Sequence, residues 1–274
     1  MKKILLAFDG NHFSEGAFEF ARRVNEMERV LVTGVFLPQV DYSSLWSYSG
    51  GAGGPLFIPL VEDADAEIVQ KNIDHFEKLC RKNNIEYRVH KDFFDFAIPE
   101  LKKETRFADL VILGSESFYS NIGTAEPNEY LKDALSAAEC PVLVIPEKFE
   151  FPKNNILAYD GSSSSVYAIK QFSYLFPFFR NNPTLLVGVQ PGEEGLPDEQ
   201  NIEELTSRHF PDLTLQALDI SRKKYFATWI SDRKDAILVS GSFGRSLFSQ
   251  LFKKSFVSDV IKEHKLPVFI SHKD

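Results

Sequence analysis

The sequence is short of cysteine, of long apolar runs and of positive charge, and each shortage excludes a class of protein. Its 274 residues include only two cysteines, Cys80 and Cys140, which are far apart and have neither CxxC nor metal-ligand spacing. This pattern argues against a disulfide framework and is typical of a reducing compartment, so we expect a cytoplasmic protein.

No apolar stretch approaches the roughly 18 residues that a membrane helix needs. The first apolar run, in MKKILLAFDG, already ends at Asp9, which is too soon for the core of a signal peptide. We therefore expect no membrane association. The six histidines show no HxxxH or HxxE pairing, so no metal site is expected either.

Acidic residues outnumber basic ones, with 39 Asp+Glu against 31 Lys+Arg and a net charge of −8. Such a chain repels a phosphate backbone unless its cations cluster on one face, so nucleic acid is not an expected partner. The 43% hydrophobic content is ordinary for a globular protein and can supply a core. The length favours two domains of about 100–150 residues each.

An internal repeat in the sequence favours the same division into two domains. The segment ILLAFDG at 4–10 reappears as NILAYDG at 155–161, so that Asp160 follows Asp9 by 151 residues. A second echo relates Gly114-Ser115 to Gly241-Ser242, 127 residues later, and Pro141 to Pro267, 126 residues later. A unit of this kind, present twice, predicts two similar domains.

The distance between equivalent residues falls from 151 at the aspartates to 126 at the prolines, so the second copy lacks about 25 residues. The Ser/Gly-rich stretch 42–54 has no counterpart in it. The boundary is predicted at 147–153, a charged, proline-containing run between two apolar strands. The predicted domains are therefore 1–147 and 153–274.

Each copy alternates short apolar runs with stretches of helical period, which predicts a doubly wound α/β domain. Because the apolar runs are continuous, the strands should be buried on both faces of a five-stranded parallel sheet of order 3-2-1-4-5. Helices are predicted at 14–26, 65–83, 97–105 and 128–138. The predicted strands are 3–8, 30–37, 86–91, 109–113 and 142–145 in the first copy, and 155–159, 184–189, 213–218, 236–240 and 267–271 in the second.

In such sheets, ligands bind beyond the carboxyl ends of the strands, where the strand order reverses. In the second copy, Asp160 ends the first strand and Gly241 follows the fourth. Gly244 and Ser255, at the start of a predicted helix 256–264, complete a loop able to cradle an anion. Asp160 can equally serve a turn or helix cap, the glycines a tight turn, and Ser255 a cap, so both interpretations stay open here.

These features together resemble the universal stress protein family, and two copies cover essentially the whole chain. The resemblance rests on the opening strand with its terminal Asp, the Gly-x-x-Gly loop, and the closing Pro-Val strand. Members of its ATP-binding branch carry Gly-x2-Gly-x9-Gly-Ser/Thr around the phosphates. Gly241, Gly244 and Ser255 match that pattern, whereas Lys254 replaces the third glycine, where it could obstruct a phosphate or pair with it.

The first copy departs further from the family pattern. Ser117 replaces the second glycine, and Asn128 and Glu129 occupy the Gly-Ser position unless the register slides to Gly123-Thr124. A carboxylate at that place would repel a phosphate. We expect the first copy to be a degenerate site.

The resemblance implies a non-catalytic regulatory protein whose second copy binds an adenine nucleotide, ATP or AMP. Asp160 would face the nucleoside, and the loop residues would face the phosphates. It also implies a protein partner or self-association. Two alternatives stay open: an interaction module with both pockets lost, and a slow ATP hydrolase, for which no general base or metal set is evident.

Overall fold

The fold is taken from a computed structural model of the protein. Its described residues are 1–10, 12–37, 63–91, 97–115, 134–135, 137–189, 195–218, 233, 235–241 and 266–271. The predicted insertion 42–54 and the predicted helix 256–264 lie outside them, as does most of the predicted helix 128–138.

Ten strands form one sheet of order β3-β2-β1-β4-β5-β10-β9-β6-β7-β8. Within each half all strands are parallel, and each half has the predicted order 3-2-1-4-5. The strands are β1 Lys2–Phe8, β2 Val30–Phe36, β3 Glu86–Lys91, β4 Leu110–Gly114, β5 Val142–Ile145, β6 Asn154–Tyr159, β7 Thr184–Val189, β8 Leu213–Leu218, β9 Ala236–Ser240 and β10 Val268–Ile270.

Helices cover both faces of the sheet. The described helices are α1 Glu15–Met27, α2 Asp63–Lys82, α3 Ala97–Thr105, α4 Ser163–Leu175 and α5 Glu199–His209. Apolar residues of α2 recur at Val69, Ile73, Phe76 and Cys80, all of them buried, which is the spacing of one helix face. One core layer joins α1, α2, α4 and α5 to the sheet, and Leu101 of α3 belongs to the layer on the opposite face.

The strand registers confirm the repeat at the level of single residues. Ile4 pairs with Leu110 and Asn155 with Ile237, so Gly114 and Gly241 stand at equivalent places. The registers also locate the missing segment. Thr184 follows its equivalent Val32 by 152 residues, but Leu213 follows its equivalent Tyr87 by only 126, so 26 residues are lost between the second and third strands.

The repeat alone would suggest two separate sheets, but the two halves share one continuous sheet. The edge strands β5 and β10 pair antiparallel through Val142–Val144 and Val268–Ile270, so the two five-stranded sheets become one. Both strands are fully buried, and an unpaired buried edge would leave backbone groups without partners. Pairing of these edges meets that requirement.

Aromatic side chains seal the junction of the halves on one face. Phe20 of α1 lies 5.4 Å from Phe151, ring centroid to ring centroid, and Phe151 lies 5.5 Å from Phe179 of the second half. Phe20 also meets Phe176 edge to face at 6.2 Å. The segment between the halves is therefore packed into the core, and part of the high phenylalanine content belongs to this junction.

Candidate functional site

Asp160 and Gly241 follow adjacent strands at the place where the strand order of the second half reverses. β6 and β9 are hydrogen-bonded neighbours with Leu157 opposite Val239. Extending that register places Gly241 opposite Tyr159, one residue before Asp160. The two predicted residues thus lie side by side at the carboxyl ends of the strands, where ligands bind in sheets of this type.

Asp160 forms a turn into α4. Its Oδ1 accepts a hydrogen bond from the Ser162 backbone N–H at 3.0 Å, and Gly161 has a φ of +78°, a conformation that glycine adopts without strain. The helix cap is Ser162, whose Oγ accepts from the Ser165 N–H at 3.1 Å. Asp160 therefore serves the turn and not the cap, and its half-buried side chain remains partly open to solvent.

Gly241 is buried against the first turn of α4. A Cβ at this position would collide with backbone atoms of Ser164 and Ser165. The glycine is required because a helix backbone lies against it, so its presence alone does not indicate a ligand. Of the other predicted site residues, Gly244 and Ser255 lie outside the described part of the chain, as does Lys254.

A groove of about 560 Å³ opens beside Asp160, between α4 and α5. Sequence reasoning missed it, because it depends on how the two helices pack. Asp198 enters α5 in the left-handed region with a φ of 47° and makes no side-chain cap, a conformation that is uncommon for residues other than glycine. The groove is lined by Tyr159, Gly161, Ser163, Val166, Tyr167, Lys170, Asp198, Asn201, Ile202 and Leu205.

Tyr159 stands where β6 meets this groove. Its hydroxyl donates a hydrogen bond to the Pro197 carbonyl at 2.9 Å. Burial raises the pKa of Tyr159, and the carboxylates of Asp198 and Asp160 raise it further, because each disfavours a second negative charge nearby. The end of the groove at Tyr159 is therefore in the negative field of Asp198 and Asp160.

The equivalent place in the first half is built differently. Asp9 is only 2% exposed. Its Oδ1 accepts from the His12 backbone N–H at 2.8 Å, and its Oδ2 lies 3.1 Å from His12 Nδ1. The Asn72 side chain donates to the Gly10 carbonyl at 2.8 Å, which ties this loop to α2. The carboxylate of Asp9 is thus occupied by its own loop.

The chemistry available in the described residues is limited. They contain no group of three His, Cys, Asp or Glu side chains placed to hold a metal ion. Burial raises the pKa of the Cys80 and Cys140 thiols to about 12, so neither is an activated thiolate at neutral pH. Across the same residues, no helix combines the length and the apolar character of a membrane span.

Comparisons with known proteins agree on the fold. No protein-family model and no curated protein sequence matches the chain. A universal stress protein structure from Archaeoglobus fulgidus is similar, with a TM-score of 0.65 at 16% identity, covering 99% of this chain and 96% of its own. A functionally unknown protein from Pseudomonas aeruginosa gives 0.56 at 10% identity, with coverages of 100% and 93%.

At these identities the likeness establishes the architecture alone. The chain is a doubly wound α/β protein in two tandem copies. Its fold is that of a universal stress protein over nearly the whole length.

Proposed function

We propose that the protein is a tandem universal stress protein, a non-catalytic cytoplasmic regulator in the stress response that binds an adenine nucleotide in its C-terminal half. The observation that carries this proposal is the placement of Asp160 beside Gly241 at the reversal point of the strand order. We further propose that the halves are domains with the bounds 1–147 and 153–274.

The residues of the second half suit a nucleoside better than those of the first. Asp160 is half-buried, and the hydrogen bond from Ser162 uses only one of its oxygens. A carboxylate has about four acceptor sites, so a sugar hydroxyl can donate to it. Asp9, in contrast, is buried and already bonded twice by His12.

In this proposal the loop after Gly241 would hold the phosphates. Backbone amides near Gly244, the hydroxyl of Ser255 and the charge of Lys254 are the groups that would supply this hold. ATP or AMP would contribute an anion and a base to recognise, and the chain's own residues would only bind and orient them.

A second candidate function is favoured by the contact of Gly241 with α4. Because that contact explains the glycine by packing, the protein could act as an interaction module in which both pockets have been lost. The two candidates differ in whether a nucleotide stabilises the folded protein.

The deciding experiment is thermal unfolding of the purified chain with ATP, with AMP and without ligand. A ligand that prefers the native state at a hundred times its Kd adds about 2.7 kcal/mol to stability, so the first candidate predicts a clear rise in Tm. Gly244→Val and Ser255→Glu should each abolish the rise, whereas Gly123→Val in the first half should leave it intact.

An unchanged Tm at millimolar nucleotide would favour the interaction module. Timed release of phosphate from ATP tests hydrolysis separately, and the non-catalytic proposal predicts none above the rate of a Ser255→Glu control.

A further inference from the structure

The two outer edges of the sheet differ in charge. β3, at one end, is EYRVHK and carries four acidic or basic side chains, Glu86, Arg88, His90 and Lys91. β8, at the other end, is LTLQAL and has none. Proteins commonly protect an edge strand with charged residues because its free backbone groups can pair with another chain. β8 lacks this protection.

Within the described part of the chain, the backbone of β8 presents a regular row of unpaired groups along the outer edge of the sheet. The backbone N–H of Thr184 in β7 donates a hydrogen bond to the Asp212 carbonyl at 2.7 Å, and Thr184 is paired with Leu213. In a parallel ladder, a residue bonds to the neighbours of its partner, so alternate residues of β8 face inward. Leu213, Leu215 and Ala217 consequently direct their N–H and C=O groups outward, and no backbone partner for them is found among the described residues.

No side chain of the described residues covers this edge. Thr214, Gln216 and Ala217 are exposed, while Leu213 and Leu215 are half-buried against the core layer of α5. The strand is thus anchored on one face and open along its edge.

We propose that β8 is a self-association edge, where a second copy of this chain pairs antiparallel with it about a two-fold axis through Leu215. This axis sets Leu213 opposite Ala217 of the second copy and Leu215 opposite itself. The three outward-facing residues of each copy then exchange six backbone hydrogen bonds.

The side-chain pairing favours a second copy over an unrelated strand. The axis places Thr214 opposite Gln216 of the second copy twice, in the closely spaced non-hydrogen-bonded positions, where neutral polar side chains can bond to each other. No charge meets a like charge. The same operation on β3, through Val89, would set Arg88 against His90 of the second copy, which is less favourable. The assembly is closed, because a two-fold axis uses each edge once.

The test uses the full chain and a charge exchange. Sedimentation or light scattering over a concentration series should show the wild type as a dimer of about twice its 31.2 kDa mass. T214K/Q216K and T214E/Q216E each place like charges opposite one another in both cross-strand pairs. Each variant should raise the dimer Kd at least about tenfold. An equimolar mixture of the two should recover the dimer, because every pair is then Lys opposite Glu.

A matched control keeps the experiment interpretable. N181K/S207K makes the same change in net charge at two exposed positions outside β8 and should stay dimeric. Circular dichroism and melting of each variant verify the fold. A monomeric wild type at the highest concentration, a dimer indifferent to T214K/Q216K, or two variants that do not recover a dimer on mixing would each overturn the proposal.

Discussion

The two halves begin with nearly the same strand and use its end differently. In the second half, α4 begins three residues after Asp160, and the carboxylate only steadies a turn. In the first half, α1 begins six residues after Asp9, and the longer loop brings His12 back onto the carboxylate. Three additional residues are enough to turn an accessible acceptor into a buried one, without any change in the fold.

The largest effect is expected at Gly241. Gly241→Ala should destabilise the protein by roughly 3 kcal/mol, because forced overpacking against a helix backbone cannot be relieved by a rotamer change. Chemical denaturation measures it. The control is Gly34→Ala, whose Cβ would meet the rings of Phe76 and Phe36 at 3.0 and 3.1 Å, where side chains can yield. If Gly241→Ala is as stable as the wild type, packing against α4 does not explain the glycine. A role of Gly241 in ligand binding would then be the better interpretation.

The next effect separates the two aspartates. Asp9→Ala should cost about 2 kcal/mol, because it removes two hydrogen bonds to a buried carboxylate. Asp160→Ala should cost less than about 1 kcal/mol, since its single bond is half-exposed. The nucleotide-dependent rise in Tm should respond in the opposite order, disappearing in Asp160→Ala and persisting in Asp9→Ala. The reverse pattern would place the nucleotide in the first half.

The helix caps should behave alike in both halves. Ser14 Oγ accepts from Ala17 N–H at 3.2 Å, and Ser162 Oγ accepts from Ser165 N–H at 3.1 Å. Ser14→Ala and Ser162→Ala should therefore each cost about 1 kcal/mol in denaturant unfolding. A large inequality would show that the longer loop of the first half also changes how its helix is held.

The smallest effect concerns Tyr159, whose equivalent in the first half is Phe8. Its pKa is raised above the usual value of 10.0 by burial and by Asp198 and Asp160. The raised pKa of Tyr159 stabilises the folded protein. This stabilisation is complete below the pKa that Tyr159 has in the unfolded chain, and it is lost as the pH rises through the raised pKa of the folded state. Phenolate absorbance should show Asp198→Asn lowering the pKa of Tyr159, with Tyr159→Phe identifying the signal. An unchanged titration in Asp198→Asn would mean that burial and Asp160 raise the pKa of Tyr159 without a contribution from Asp198.

Much of the fold can be predicted from the sequence, because strand identity here depends on local apolar runs. The predicted 86–91, 142–145, 184–189 and 236–240 agree with the strands residue for residue. The register also confirms that Gly114 and Gly241 are equivalent. Such features depend on neighbours in the chain and on the duplication.

Features set by distant contacts could not be predicted. Pairing of β5 with β10 depends on two edges that are over 120 residues apart and have no motif of their own. The reason for Gly241 lies in Ser164 and Ser165, which no spacing rule connects to it. The change of cap from Asp160 to Ser162 is a matter of two residues, within the usual uncertainty of a helix end.

The antiparallel contact of β5 and β10 has a consequence for communication within the molecule. Because the strands of one half run opposite to those of the other, Asp9 and Asp160 occupy opposite rims of the sheet. The strands are six or seven residues long, which separates the rims by on the order of 20 Å. A single small molecule cannot touch both aspartates, so occupancy of one rim can influence the other only through the strands and the packed aromatic junction that the two halves share.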